Sequence, residues 1–123
     1  MENNVLVSLR RNSDFLALRR SGKKVRANDF LLFVFSKNNI GCFRLGITVG
    51  SRVANAVQRN RIKRVCREFF RYKIKFSNLS NLDLNVVFQK KDSGFYKDLS
   101  NTELKSALEV AFKKLCERIK NND

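Results

Sequence analysis

Between Arg59 and Lys73 the chain carries Arg59, Arg61, Lys63, Arg64, Arg67, Arg71 and Lys73 against the single acid Glu68. At about 100° per residue of helix, Ile62, Val65, Cys66 and Phe69 share one stripe, and Asn60, Lys63, Arg64, Arg67 and Arg71 gather opposite it. A helix with this pattern packs one side on a core and presents cations on the other. Like charges four residues apart, such as Lys63 with Arg67 and Arg67 with Arg71, each destabilise a lone helix by about 0.2–0.5 kcal/mol. A polyanion laid along the face reverses that sign. The bland alternative is a solvated amphipathic face, but such faces usually mix signs. Arginine also outnumbers lysine here, as bidentate phosphate contacts favour. Asn60 adds an amide able to donate and accept, as a base edge or a 2′-hydroxyl requires.

Protein-borne catalysis finds little to work with. The chain has no histidine, so the commonest general base is missing and no Ser/His or Cys/His pair can form. Cys42, Cys66 and Cys116 are odd in number and far apart, which argues against a disulfide framework or a metal site. They are expected to be small apolar core residues in a reducing cytosol. Asp83, Asp92 and Asp98 are not spaced as a set of metal ligands. No catalytic residue and no metal ligand is therefore assigned, and the chain alone is expected not to cut RNA.

The whole composition points the same way as the helix. In 123 residues, 26 Lys and Arg against 11 Asp and Glu leave a net charge of +15, and self-repulsion on that scale disfavours a compact state unless a polyanion is the normal partner. Nucleic acid is the leading candidate, with an anionic membrane surface the main competitor. No stretch approaches the roughly 20 apolar residues of a membrane span, and the first fifteen residues lack the apolar stretch of a signal peptide.

The elements that must position the basic helix can be read from periodicity and caps. Ser13 is a plausible N-cap for a short helix running toward Gly22. The run from Phe30 to Phe35 is continuous, aromatic and β-branched, as expected of a strand covered on both sides. Residues 37–41 look like a hairpin connection to the next strand, in which Phe43, Leu45, Ile47 and Val49 alternate with Arg44, Gly46, Thr48 and Gly50. The basic helix is expected over Asn55–Tyr72, then a strand over Leu84–Phe88. A last helix opens on the capping box of Ser100 and Glu103 and buries Leu104, Leu108, Ala111, Phe112, Leu115 and Ile119. This order predicts an α+β sandwich in one domain spanning residues 1–123, its helices covering one face of a small sheet.

The block from Gly46 to Glu68 also carries a resemblance. Its strand, basic turn and helix of the pattern N-A-V-x-R-N-x-x-K-R-x-x-R, here Asn55 to Arg67, resemble the bacterial ribonuclease P protein family, the small basic subunit of ribonuclease P. The likeness extends more loosely over residues 9–120, including Asp14-Phe15 and the aromatic strand from Phe30. Ser51-Arg52 stands where the family usually has two lysines, Ala54 where glycine is usual, and Arg19 where many members are apolar.

The resemblance implies a fold like the second domain of ribosomal protein S5, with a left-handed β-α-β crossover against the general right-handed preference. It implies a cytoplasmic subunit of an endoribonuclease in which a catalytic RNA, with Mg²⁺ bound mainly by that RNA, removes the 5′ leader of precursor tRNA. Arg52, Arg59, Asn60, Arg61, Lys63, Arg64, Arg67 and Arg71 would face the ribonuclease P RNA. Phe15, Arg19, Phe30 and Phe33 would belong to a cleft for the single-stranded leader, in which aromatic stacking and cations share the grip. The protein would act as a monomer in a 1:1 complex with the RNA, with no membrane or DNA partner. A ribosomal or other structural RNA-binding protein fits the composition equally well, and only the long spaced motif separates the two. A DNA-binding helix-turn-helix fits less well, because a strand and not a first helix precedes the basic helix.

Overall fold

The computed structural model describes residues 6–77 and 79–121. Its elements run β1 (Val7–Ser8), α1 (Asn12–Ser21), β2 (Lys23–Arg26), β3 (Leu31–Lys37), β4 (Phe43–Val49), α2 (Ala56–Lys73) and a short 3₁₀ turn (Ile74–Phe76). After these come β5 (Leu82–Phe88), α3 (Phe95–Asp98) and α4 (Asn101–Asn121). The strands form one five-stranded sheet in the order β1-β4-β5-β3-β2, which makes the molecule the α+β protein that the sequence predicts.

The sheet corrects the expected hairpin at residues 37–41. β5 lies between β3 and β4, antiparallel to β3 with Phe33 opposite Val86, and parallel to β4 with Leu45 opposite Leu84. The intervening segment thus strides over one strand position, about 10 Å, which five extended residues span. Its backbone is held by Asn38, whose amide N–H donates to the Asn81 carbonyl at 2.9 Å and whose side chain donates to Asp83 Oδ1 at 2.7 Å. Gly41 turns the chain at φ +80°, a left-handed conformation that suits glycine.

Period-two alternation assigns the two faces of the sheet. Leu31, Phe33 and Phe35, with Phe43, Leu45, Leu82, Leu84, Val86 and Phe88, face α2 and α4 and form the main core with Ile62, Val65, Phe70, Leu104, Leu108 and Leu115. Aromatic contacts knit it together: the Phe70 ring lies 5.9 Å from Phe33 and 6.0 Å from Phe43 between centroids. The opposite face is not bare. There Leu9, Leu18 and Val34 form a smaller cluster with Phe15, Leu32 and Val87, so α1 packs on the side away from α2 and α4. Helices on both faces replace the expected single covered face, because β3 and β5 carry apolar side chains on both sides and each side needs a cover.

Local chemistry fixes the ends of the long helices. Asn55 caps α2 by accepting the Gln58 N–H at 2.9 Å. At α4 the Ser100 N–H donates to Glu103 Oε1 at 2.9 Å and the Glu103 N–H to Ser100 Oγ at 3.0 Å, the reciprocal capping box expected from the sequence. Hydrogen bonding to Ser100, its backbone N–H first and its side chain second, holds the Glu103 carboxyl below its ordinary pKa.

Candidate nucleic-acid interface

α2 buries Ile62, Val65, Cys66, Phe69 and Phe70 and turns its other side outward. Asn60, Arg64, Arg67 and Arg71 are exposed and Lys63 half-buried, with Arg52 exposed in the turn before the helix. Among the described residues none of Lys63, Arg64, Arg67 and Arg71 has an acidic partner. Their charge is left for something outside the fold.

Two of the expected RNA-facing residues also make hydrogen bonds within the protein. The Arg59 guanidinium donates to the Ala54 carbonyl at 2.9 Å, closing the turn that leads into α2. Arg61 donates through Nε to Gln58 Oε1 at 2.8 Å, through Nη1 to Asn101 Oδ1 at 2.6 Å, and through Nη2 to the Tyr96 carbonyl. It ties α2 to α3 and to the start of α4.

On the other face of the sheet, a groove of about 560 Å³ opens between α1 and the strands. Its apolar surface includes Phe15, Leu32, Val34 and Val87, and Thr48 and Asn85 add polar atoms on neighbouring strands, where Thr48 Oγ1 donates to Asn85 Oδ1 at 2.9 Å. Arg19 and Lys24 bring cations from α1 and β2, and Lys63 brings one from α2. Lys63 therefore belongs both to the basic helix and to the groove. α1 is seated by two devices. Phe15 lies so close over Gly46 that a Cβ there would stand 2.5 Å from its ring. Asp14 lies 3.4 Å from Arg44, whose guanidinium also makes a bidentate pair with Asp83 at 2.8 and 2.7 Å. That pairing with Asp83 raises the Arg44 pKa above its ordinary value.

Phe15 and Arg19 thus line the groove, but Phe30 and Phe33 do not. Phe33 is 0% exposed and packs on Phe70, and Phe30 packs on Phe95 at 5.1 Å and Tyr96 at 6.1 Å. Both belong to the main core, so neither offers a free ring to a ligand. Among the groove residues that sequence reasoning missed are Lys24, Leu32, Val34, Thr48, Asn85 and Val87. The signal for several was present in β4, where Arg44, Gly46 and Thr48 alternate with the core positions. The register that sets Gly46 opposite Asn85 and Thr48 opposite Val87 carries it into β5.

A second concavity, of about 630 Å³, lies between the turn carrying Arg52 and residues 90–97, with Lys90, Lys91 and Lys97 on its walls. Lys91 is paired to Asp29 at 2.6 Å. No three His, Cys, Asp or Glu side chains gather as a metal site among the described residues, and Cys66 is buried, which pushes its thiol pKa well up. Among the described residues the donors present do not gather into a site that fits a resident Mg²⁺. No helix among the described residues is long and apolar enough to cross a membrane.

Known proteins are similar to this chain in sequence and fold. The family model described as Ribonuclease P matches residues 5–116. A ribonuclease P protein component from Staphylococcus epidermidis is 37% identical over 105 residues, covering 85% of this chain and 86% of its own. One from Desulforapulum autotrophicum is 37% identical over 108 residues, 87% of this chain and 86% of its own. Among solved structures, the Staphylococcus aureus RNase P protein superposes with a TM-score of 0.73 at 32% identity, over 88% of this chain and 94% of that one. The Thermotoga maritima RNase P protein, in complex with 1-(4-fluorophenyl)-2-thiourea, gives 0.72 at 31%, over 81% and 92%. With the family model spanning the sheet, the basic helix and most of α4, the chain belongs to the ribonuclease P protein family.

Proposed function

We propose that this chain is the protein subunit of a ribonuclease P, a single domain that binds one catalytic RNA and the 5′ leader of precursor tRNA in the cytoplasm. The observation that carries the reading is the junction at Lys63, where an unpaired cationic helix face meets an apolar groove rimmed by cations. Folded RNA is held through phosphates and shape, which suits Arg52, Asn60, Lys63, Arg64, Arg67 and Arg71. A single strand is held by stacking beside cations, which suits Phe15 with Arg19 and Lys24. Arg59 and Arg61 shape the turn and anchor the helix that carries this face. Hydrolysis of one phosphodiester, leaving a 5′-phosphate on the tRNA, is assigned to the RNA and its Mg²⁺, consistent with a chain that has no histidine. The protein's part is charge neutralisation and grip on the substrate.

The test is reconstitution. Purified protein mixed with the cognate ribonuclease P RNA and a precursor tRNA at low Mg²⁺ should give cleavage at the mature 5′ end, and protein stripped of RNA should give none. Mg²⁺-dependent cleavage by the RNA-free protein, or no effect of the protein on the RNA's activity, would overturn the reading.

A further inference from the structure

The chain holds eleven phenylalanines and two tyrosines, all within the described residues, and only Tyr72 and Phe76 among them are exposed, at 61% and 74%. They stand together where α2 runs into the 3₁₀ turn, with ring centroids 5.2 Å apart and planes inclined by 58°. Nothing in the fold requires this. The same turn buries Ile74, and the neighbouring Phe69, Phe70 and Phe112 are packed against one another. Burying a lone ring in water-free surroundings is favourable, so two adjacent rings kept in solvent mark a surface with a partner.

The cations around the rings say what kind of partner. Lys73 is used within the protein: it pairs with Glu109 at 2.7 Å and sits 5.5 Å above the Phe69 and Phe112 rings. Arg71 and Lys75, on either side of it in the chain, are exposed and have no acidic partner among the described residues. A second copy of a chain of charge +15 would be repelled by such a patch. A polyanion with an unpaired base would satisfy rings and cations together. Tyr72 follows Arg71 by one residue, so the rings stand at the same end of α2 as the last cation of the face already described.

We propose that Tyr72 and Phe76 form a stacking platform for an unpaired base of the RNA that lies along α2, with Arg71 and Lys75 holding the flanking phosphates. The inference rests on the ribonuclease P reading and adds a base contact to a face otherwise read as binding phosphates. The two rings touch each other, so the base stacks on their outer surface and not between them. Stacking of this kind tolerates any base.

The chain has no tryptophan, which allows a clean reporter. Y72S/F76S should leave the circular dichroism unchanged, because both rings are exposed. It should weaken binding to the cognate ribonuclease P RNA about tenfold or more, with the salt dependence as steep as that of the wild type. F76W should bind like the wild type, and its emission should be quenched when the RNA is added. A folded Y72S/F76S that binds within about twofold of the wild type overturns the proposal. So does F76W emission that the RNA does not change, or a wild-type dimer that Y72S/F76S dissociates in sedimentation. Should the wild type itself ignore the RNA, the ribonuclease P reading fails. The platform is then judged separately, by F76W quenching with a single-stranded uridine decamer.

Discussion

Leu32 and Phe33 are neighbours in the chain and belong to opposite sides of the sheet: Leu32 lines the groove, and Phe33 is sealed against Phe70. Phe33→Ala should therefore lower stability by about 3–5 kcal/mol, read from the urea midpoint, whether or not RNA is present. Gly46→Ala acts from the other side. A methyl group there meets the Phe15 ring at 2.5 Å, so α1 must shift, at a cost of about 1–3 kcal/mol and with a distorted groove. Arg61 and Arg64 make a second pair of near neighbours with different duties. Arg61→Ala should cost on the order of 1–2 kcal/mol of stability, because it cuts the two bonds that hold α2 to α3 and α4 and a third within α2. Arg64→Ala should leave the urea midpoint where it is. That an aromatic run forms β3 was legible in the sequence. Which of its residues face the groove was not, because β3 is apolar on both sides and alternation alone does not say which side a helix covers. The polar positions of β4 did carry that information.

Among the elements, the basic helix and the last helix were the most legible, because periodicity, the Asn55 cap and the Ser100–Glu103 box all agree with one another. The strands at the two edges were not legible. β2 buries only Val25 and β1 is two residues long, so neither shows a pattern of its own, and each exists because a neighbouring strand offers it a ladder. Strand order was hidden as well, since a five-residue connection fits a hairpin and a step over one strand equally. α3 was missed for its shortness, and it brings a testable group. Tyr96 is buried, its hydroxyl donates to the Gln89 carbonyl, and burial pushes its pKa up to about 12. An unfolded tyrosine loses its proton near pH 10, so the stability this group contributes is complete below about pH 10 and drains away as pH rises to about 12. Urea midpoints should fall over that window in the wild type and fall less in Tyr96→Phe. An equal decline in the two proteins would contradict the assignment. For α2, the double variant Arg64→Ala/Arg67→Ala should keep its fold and lose affinity for the ribonuclease P RNA. Its log–log salt slope should flatten by roughly 0.7–0.9 for each phosphate that the variant no longer neutralises, and an unchanged slope would return the helix to an ordinary solvated face.

At the scale of the whole molecule, the sheet separates two surfaces. Its core side seats the helix that carries the cationic face, its other side forms the floor of the groove, and Lys63 stands where the two meet. A net charge of +15 draws any RNA to such a surface, so attraction alone cannot tell substrate from product. On the proposed function the groove can, because mature tRNA has no leader to place in it. Stacking worth about 1–3 kcal/mol per base gives a preference of roughly tenfold or more at about 1.4 kcal/mol per decade. The most direct test of the account compares the affinity of the reconstituted holoenzyme for precursor and for mature tRNA, with wild-type protein and with Phe15→Ser shown to be folded. The account predicts that the wild type prefers precursor by about tenfold or more, and that Phe15→Ser loses most of that preference while its affinity for mature tRNA stays nearly the same. A folded Phe15→Ser holoenzyme whose affinities for the two RNAs fall by the same factor, or do not fall at all, would contradict it.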